Sequence, residues 1–150
     1  MSNVATILAK KGSEVASVRE NASVLDAARL MRDRKIGSVV VLRDEAVVGI
    51  FTERDMLYRV VAEMKDLIET SVGDVMTSPI TSCSPMTSLS ECAELMTSRR
   101  KRHIPVLESG KLVGIVTSGD IMAHKVSNLE ETNIFLQEYM HGMQPVESSL

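Results

Sequence analysis

Gly-Ile-Phe-Thr-Glu-Arg-Asp occupies residues 49–55, and 65 positions later Gly-Ile-Val-Thr-Ser-Gly-Asp occupies 114–120. Each copy puts a hydroxyl and a carboxylate three residues apart, where an apolar strand-like run gives way to a helix-like one. Such a pair can do two kinds of work. Thr at a helix N-cap accepts a hydrogen bond from a first-turn amide, worth about 1 kcal/mol. An acid in that turn gains about 0.3–1 kcal/mol from the helix dipole. Capping alone therefore accounts for either copy taken singly. The same geometry also suits a ligand. Gly49 and Gly114 stand three residues before the Thr, where the lack of a Cβ lets a backbone or a ligand come close. A helix N-terminus offers free amides to a phosphate. One carboxylate can accept from both hydroxyls of a sugar diol in charge-assisted bonds. Phosphate beside Thr52 or Thr117 and ribose on Asp55 or Asp120 would together describe a nucleotide.

Other chemistry is sparsely represented. The three histidines and two cysteines lack a compact metal-ligand spacing, so no metal is expected. No nucleophile stands with a base and an orienting group, and neither a Gly-rich phosphate loop nor a G-x-G-x-x-G fingerprint is present. The chain therefore does not read as an enzyme. A net charge of −3, two Phe, two Tyr and no Trp argue against nucleic acid or an anionic membrane as partner. With no secretory signal and no long apolar run, the expected location is the reduced cytoplasm. A disulfide between Cys83 and Cys92 is not excluded by spacing, but small apolar packing suits both thiols.

The elements that must position the two motifs repeat with the same period and no gap. Ser13, Ser17 and Ser23 fall on Ser78, Ser82 and Ser88; Ala28, Leu30 and Met31 fall on Ala93, Leu95 and Met96; Val48 falls on Val113. Each copy opens with a short extended piece, 13–19 or 78–83. An amphipathic helix follows, 23–35 or 88–101, capped by Ser23 or Ser88 with Asp26 or Glu91 three residues on. Next comes a hairpin of nearly continuous apolar strands, 39–51 or 104–116, and then a helix beginning at Thr52 or Thr117. The pattern predicts an α+β fold of two β-α-β-β-α repeats related by a pseudo-two-fold axis. One unit of about 60 residues buries too little surface alone, so the two should cover each other. The expected division is 1–66, 67–127, and a C-terminal helix and tail over 128–150. In that tail Leu129, Leu136, Met140 and Met143 form a stripe, either folded back on the chain or contacting a second subunit.

The duplicated unit ending in G-I-x-T-x-x-D resembles a pair of cystathionine-β-synthase (CBS) domains, a tandem called a Bateman module. The resemblance covers about residues 10–127, with HIPV at 103–106 and MTSPI at 76–80 as further family features. Repeat 1 has SVVV and KGSEV at those places and lacks both prolines. The resemblance implies a non-catalytic sensor binding AMP, ADP or ATP in clefts between the repeats; some members take NAD or S-adenosylmethionine. It implies ribose on Asp55 and Asp120, and phosphates facing Thr52 and Thr117. The adenine would be flanked by Ser13 and Val15 or by Ser78 and Ile80, with Val39 or Ile104 against its face. It further implies regulation of an unidentified effector protein, and a homodimer. The clefts should differ. Arg54 stands in the first motif where the second has Gly119, while repeat 2 carries RRKRH at 99–103. Those cations either complement a helix dipole or, through Arg102 or His103, reach a phosphate. The competing reading is an interaction module with degenerate clefts.

Overall fold

The computed structural model describes residues 2–143, with side chains through residue 141. Two small sheets and six helices make up the described chain. The order is α1 (Val4–Lys11), β1 (Ser17–Arg19), α2 (Val24–Arg34), β2 (Ser38–Arg43), β3 (Ala46–Thr52) and α3 (Glu53–Asp55), which runs on as a π-helical stretch, Met56–Val61. Then follow α4 (Val72–Val75), α5 (Leu89–Arg99), β4 (His103–Glu108), β5 (Lys111–Thr117) and α6 (Ser118–Met143).

Local chemistry repeats with the sequence. Ser23 Oγ accepts from the Asp26 amide (3.0 Å) and Ser88 Oγ from the Glu91 amide (3.1 Å), so both amphipathic helices start at their caps. Both end on a left-handed residue, Lys35 and Arg100. Both hairpins carry an irregularity at the same place, Val41/Leu42 and Val106/Leu107, and turn on a positive-φ residue, Asp44 or Ser109. Gly110 adds a second positive φ to the latter turn, which a residue without a Cβ adopts at little cost.

One element is unequal. β1 pairs parallel with β2, and the Val40 amide donates to Ala16 O (3.0 Å). The position equivalent to Val40 is Pro105, which has no N–H to give. The expected strand over 78–83 is accordingly reduced to one parallel bridge, Cys83 to Val106. The second sheet is therefore β4–β5 alone, beside a first sheet ordered β1–β2–β3.

Two apolar cores result, and the chain crosses between them. Val24, Ala27, Met31, Val39, Val41 and Phe51 pack in one, joined by Val72 and Val75 of the connector. Leu89, Cys92, Met96, Ile104, Val106 and Val116 pack in the other, joined by Val4 and Ile7 of α1. The division expected at residue 66/67 is thus crossed by packing in both directions. Helix α1 itself was not anticipated. Asn3 caps it, its side chain accepting from the Thr6 amide at 3.2 Å, and Val4 and Ile7 turn into the core of the far repeat. Cys83 and Cys92 are free and buried; a hydrogen bond between them and burial push the Cys83 thiol up, so it packs as a neutral group.

The C-terminal segment also departs from expectation. The helix expected over the tail is present, but as a continuation of α6, a single element of 26 residues, and not as a separate one. The side chain of Met143 and residues 144–150 lie outside the described residues.

Candidate functional site

Each Thr-x-x-Asp motif forms a reciprocal cap. The Asp55 amide donates to Thr52 Oγ1 (3.2 Å) while the Thr52 amide donates to Asp55 Oδ2 (3.0 Å). In the second copy the Asp120 amide donates to Thr117 Oγ1 (3.1 Å) and the Thr117 amide to Asp120 Oδ2 (2.9 Å). The capping role is therefore real in both places. On each carboxylate the cap uses one accepting position out of roughly four lone-pair directions.

The remaining capacity is engaged differently in the two halves. Asp55 is 5% exposed, and Thr77 Oγ1 donates to its Oδ1 at 3.0 Å and reaches Oδ2 at 3.1 Å. Arg59 Nε lies 3.6 Å from Oδ1. A neutral hydroxyl that can rotate away is a replaceable partner for this carboxylate. Asp120 instead receives Lys11 Nζ on Oδ2 at 2.6 Å, with the two side chains 23% and 30% exposed. Lys11 also donates to Ile115 O (3.0 Å).

These partners come crosswise. The segment entering repeat 2 covers the acid of repeat 1, and the segment entering repeat 1 covers the acid of repeat 2. The motif glycines allow it. A Cβ on Gly49 would stand 2.9 Å from Thr77 O, and one on Gly114 would stand 2.7 Å from Leu8 Cδ2. Main-chain bonds between Ile50 and Thr77 hold the connector against β3 (3.1 and 2.8 Å).

Asp55 opens on a cleft of about 600 Å³ between the repeats. Thr52, Arg54, Asp55 and Tyr58 line one side, Thr77 another, and Arg100, Lys101, Arg102 and His103 the wall opposite. Arg54 stacks over the Tyr58 ring, 5.4 Å from its centroid, which fixes the guanidinium at the cleft edge. Four cations against Glu53 and Asp55 leave the lining net positive, a field that attracts anions. Burial holds the His103 imidazole below its ordinary range, with Lys11 and Arg102 adding and Glu53 and Asp120 opposing. His103 is accordingly a neutral donor–acceptor near pH 7.

Of the residues singled out in the sequence, Thr52, Arg54, Asp55, Arg102 and His103 share this cleft. Thr117 and Asp120 form the second cap under Lys11. Ser13 and Ser78 are exposed and Val15 and Ile80 half-buried, outside the residues lining the cleft; Ser78 Oγ donates to Val48 O (3.0 Å). Val39 and Ile104 are a correction. Each is 0% exposed inside its core and offers no face to a ligand. Those inward strand positions are filled by aliphatic packing. Thr77 and Lys11 were missed as partners of the two acids. Their signal was the paired segments MTSPI and KGSEV, which precede the two repeats at matching positions. Among the described residues no group of three or more His, Cys, Asp or Glu is placed to hold a metal. No helix among them is long and apolar enough to cross a membrane.

The architecture is a duplicated α+β module with a ligand-sized cleft between its halves. The CBS-domain family matches residues 6–62 and 72–127, and the chain belongs to that family as a tandem pair. It is similar to the CBS domain-containing protein YhcV of Bacillus subtilis, 33% identical over 116 residues, 77% of this chain and 82% of that one. A signal-transduction protein with CBS domains from Burkholderia ambifaria, its role qualified as putative, superposes with a TM-score of 0.82 at 36% identity. That match covers 84% of this chain and 95% of the other. CBSX2, solved in complex with AMP, superposes at 0.71 with 26% identity over 85% of this chain and 98% of its own.

Proposed function

We propose that this chain is a non-catalytic sensor that binds an adenosine nucleotide (AMP, ADP or ATP) in the cleft beside Asp55 and regulates a partner protein through the resulting shift. One observation carries the reading: a buried carboxylate held by a rotatable hydroxyl faces a cationic wall across a cleft of about 600 Å³. Ribose hydroxyls replace Thr77 Oγ1 on Asp55, and the phosphate lies toward Arg54, Arg102 and His103, beside Thr52. The base lies at the cleft edge, toward the Ser78–Ile80 segment that follows Thr77 out of the lining. A similar protein holding AMP supports the ligand class. NAD and S-adenosylmethionine share the adenosine end and compete for the same cleft.

The second cleft, with Thr117, Asp120 and the segment Ser13–Val15, binds more weakly because a nucleotide there must first displace Lys11. This favours the degenerate-cleft reading for that half alone. The chain acts as a homodimer, its output read by an unidentified effector protein in the cytoplasm. A ligand shifts that equilibrium only by its differential affinity for the two arrangements.

Calorimetry of ligand-free protein with AMP, ATP, NAD and S-adenosylmethionine tests the proposal. Heat with an adenosine ligand, lost in Asp55→Ala while circular dichroism is kept, is the expected result. Absence of heat with all four, or binding indifferent to Asp55→Ala, overturns it. Turnover of bound ATP on long incubation would move the protein to the enzymes.

A further inference from the structure

Helix α6 is too long for the body it leaves. Ile121 and His124 anchor its first turns, the latter with Ser2 Oγ 3.1 Å from Nε2, yet every residue from 128 to 141 is exposed. The family match stops at residue 127, so this extension belongs to the chain rather than to the tandem module. A helical stretch of about 12–15 residues is marginal in water without packing. Its exposed apolar residues are not scattered. Met122, Val126, Leu129, Leu136 and Met140 are all 47% exposed or more. With Asn133 in line they step by four and three residues in strict alternation, which is the seam of a coiled coil. Val126, Asn133 and Met140 take the a positions, and Met122, Leu129 and Leu136 the d positions.

From this seam we infer that α6 pairs with α6 of a second copy as a parallel, in-register, two-stranded coiled coil over residues 122–140. Three features select that occupant. A β-branched a residue with Leu at d favours two strands, as Val126 and Leu129 supply. A lone Asn at a fixes register: in register, the two Asn133 amides meet each other, whereas any other register sets each against an apolar residue. Lys125 falls at g and Glu130 at the following e, so each copy's ammonium faces the other's carboxylate, twice over. An antiparallel pair would set like charges together. Ile134, Phe135 and Tyr139 are exposed as well but lie off the a and d positions. Since α6 begins directly after Thr117 and contains Asp120, the second motif and the seam stand on one helix.

This deepens the homodimer reading and is independent of the nucleotide. The full chain is examined by sedimentation velocity with three sets of variants. Leu129→Glu/Leu136→Glu, on residues exposed in the single chain, converts dimer to monomer while the folded body keeps its cooperative urea transition. Met140→Cys forms an interchain disulfide under mild oxidation, because only the parallel in-register pair sets 140 against 140. Lys125→Glu weakens the dimer about fivefold, and Lys125→Glu/Glu130→Lys restores it. A dimer that survives the double Glu variant or fails to cross-link at 140 overturns the coiled coil and leaves dimerisation standing; a wild-type tetramer overturns the two-stranded pairing. A wild-type chain that is monomeric at high concentration overturns both.

Discussion

Replacing Lys11 with Met tests the proposed difference between the cleft at Asp55 and the capped site at Asp120, because it removes one ammonium and keeps most of the stem. The Lys11–Asp120 pair has close geometry, 2.6 Å, and is about three-quarters shielded. At an effective dielectric of about 20 the gross attraction is several kcal/mol. Desolvation and the ordering of a long side chain return most of it, so a partly exposed pair nets about 1 kcal/mol. Two outcomes of opposite sign follow. Stability to urea falls by about 1 kcal/mol, and the difference from wild type shrinks in 1 M salt, where the screening length is only about 3 Å. Nucleotide affinity at the second cleft rises, since a ribose diol no longer has to displace a cation from Asp120. The same 1 kcal/mol corresponds to about a fivefold tightening. Calorimetry with AMP in an Asp55→Ala background isolates that cleft. Unchanged affinity would show that Lys11 does not compete with ligand. Weakened affinity would show that it is itself a phosphate ligand, and either result refutes the reasoning.

Close approach at the two motif glycines has unequal consequences. Gly49→Ala drives a Cβ toward the Thr77 carbonyl, which is main chain and tied to Ile50, so a loss of about 1–3 kcal/mol is expected in chemical denaturation. Gly114→Ala meets only the end of the Leu8 side chain, which can turn, and costs less than Gly49→Ala. Equal costs would contradict the packing described. His103 gives a pH dependence. Its folded pKa is depressed below the ordinary 6.5, so the unfolded chain holds the proton more tightly. The contribution of His103 is complete above about pH 6.5 and is lost as pH falls toward the folded value. His103→Gln should flatten the stability profile between pH 7 and 5; a parallel slope in the variant would assign the dependence elsewhere.

Much of this protein could be read from short stretches of chain, because the forces behind them are local. Apolar spacing placed both amphipathic helices and both hairpins to within about two residues, since burial of one face imposes a period. Ser23, Ser88, Thr52 and Thr117 marked helix starts because a cap bonds an amide only three residues away. The gapless repeat disclosed two units, and their matching turns and irregularities follow from matching residues. Even the loss of a strand in repeat 2 was latent in Pro105, a residue with no amide to donate. Long-range choices were made elsewhere. Nothing local says that Lys11 reaches Asp120, 109 residues away, or that Thr77 rather than a solvent molecule covers Asp55. The packing of Val4 and Ile7 into the far core, the sealing of Val39 and Ile104, and the fusion of the tail into α6 depend on which surfaces the assembled repeats leave open. Periodicity tells a side chain that it has an inside; only the tertiary structure decides whose inside it is.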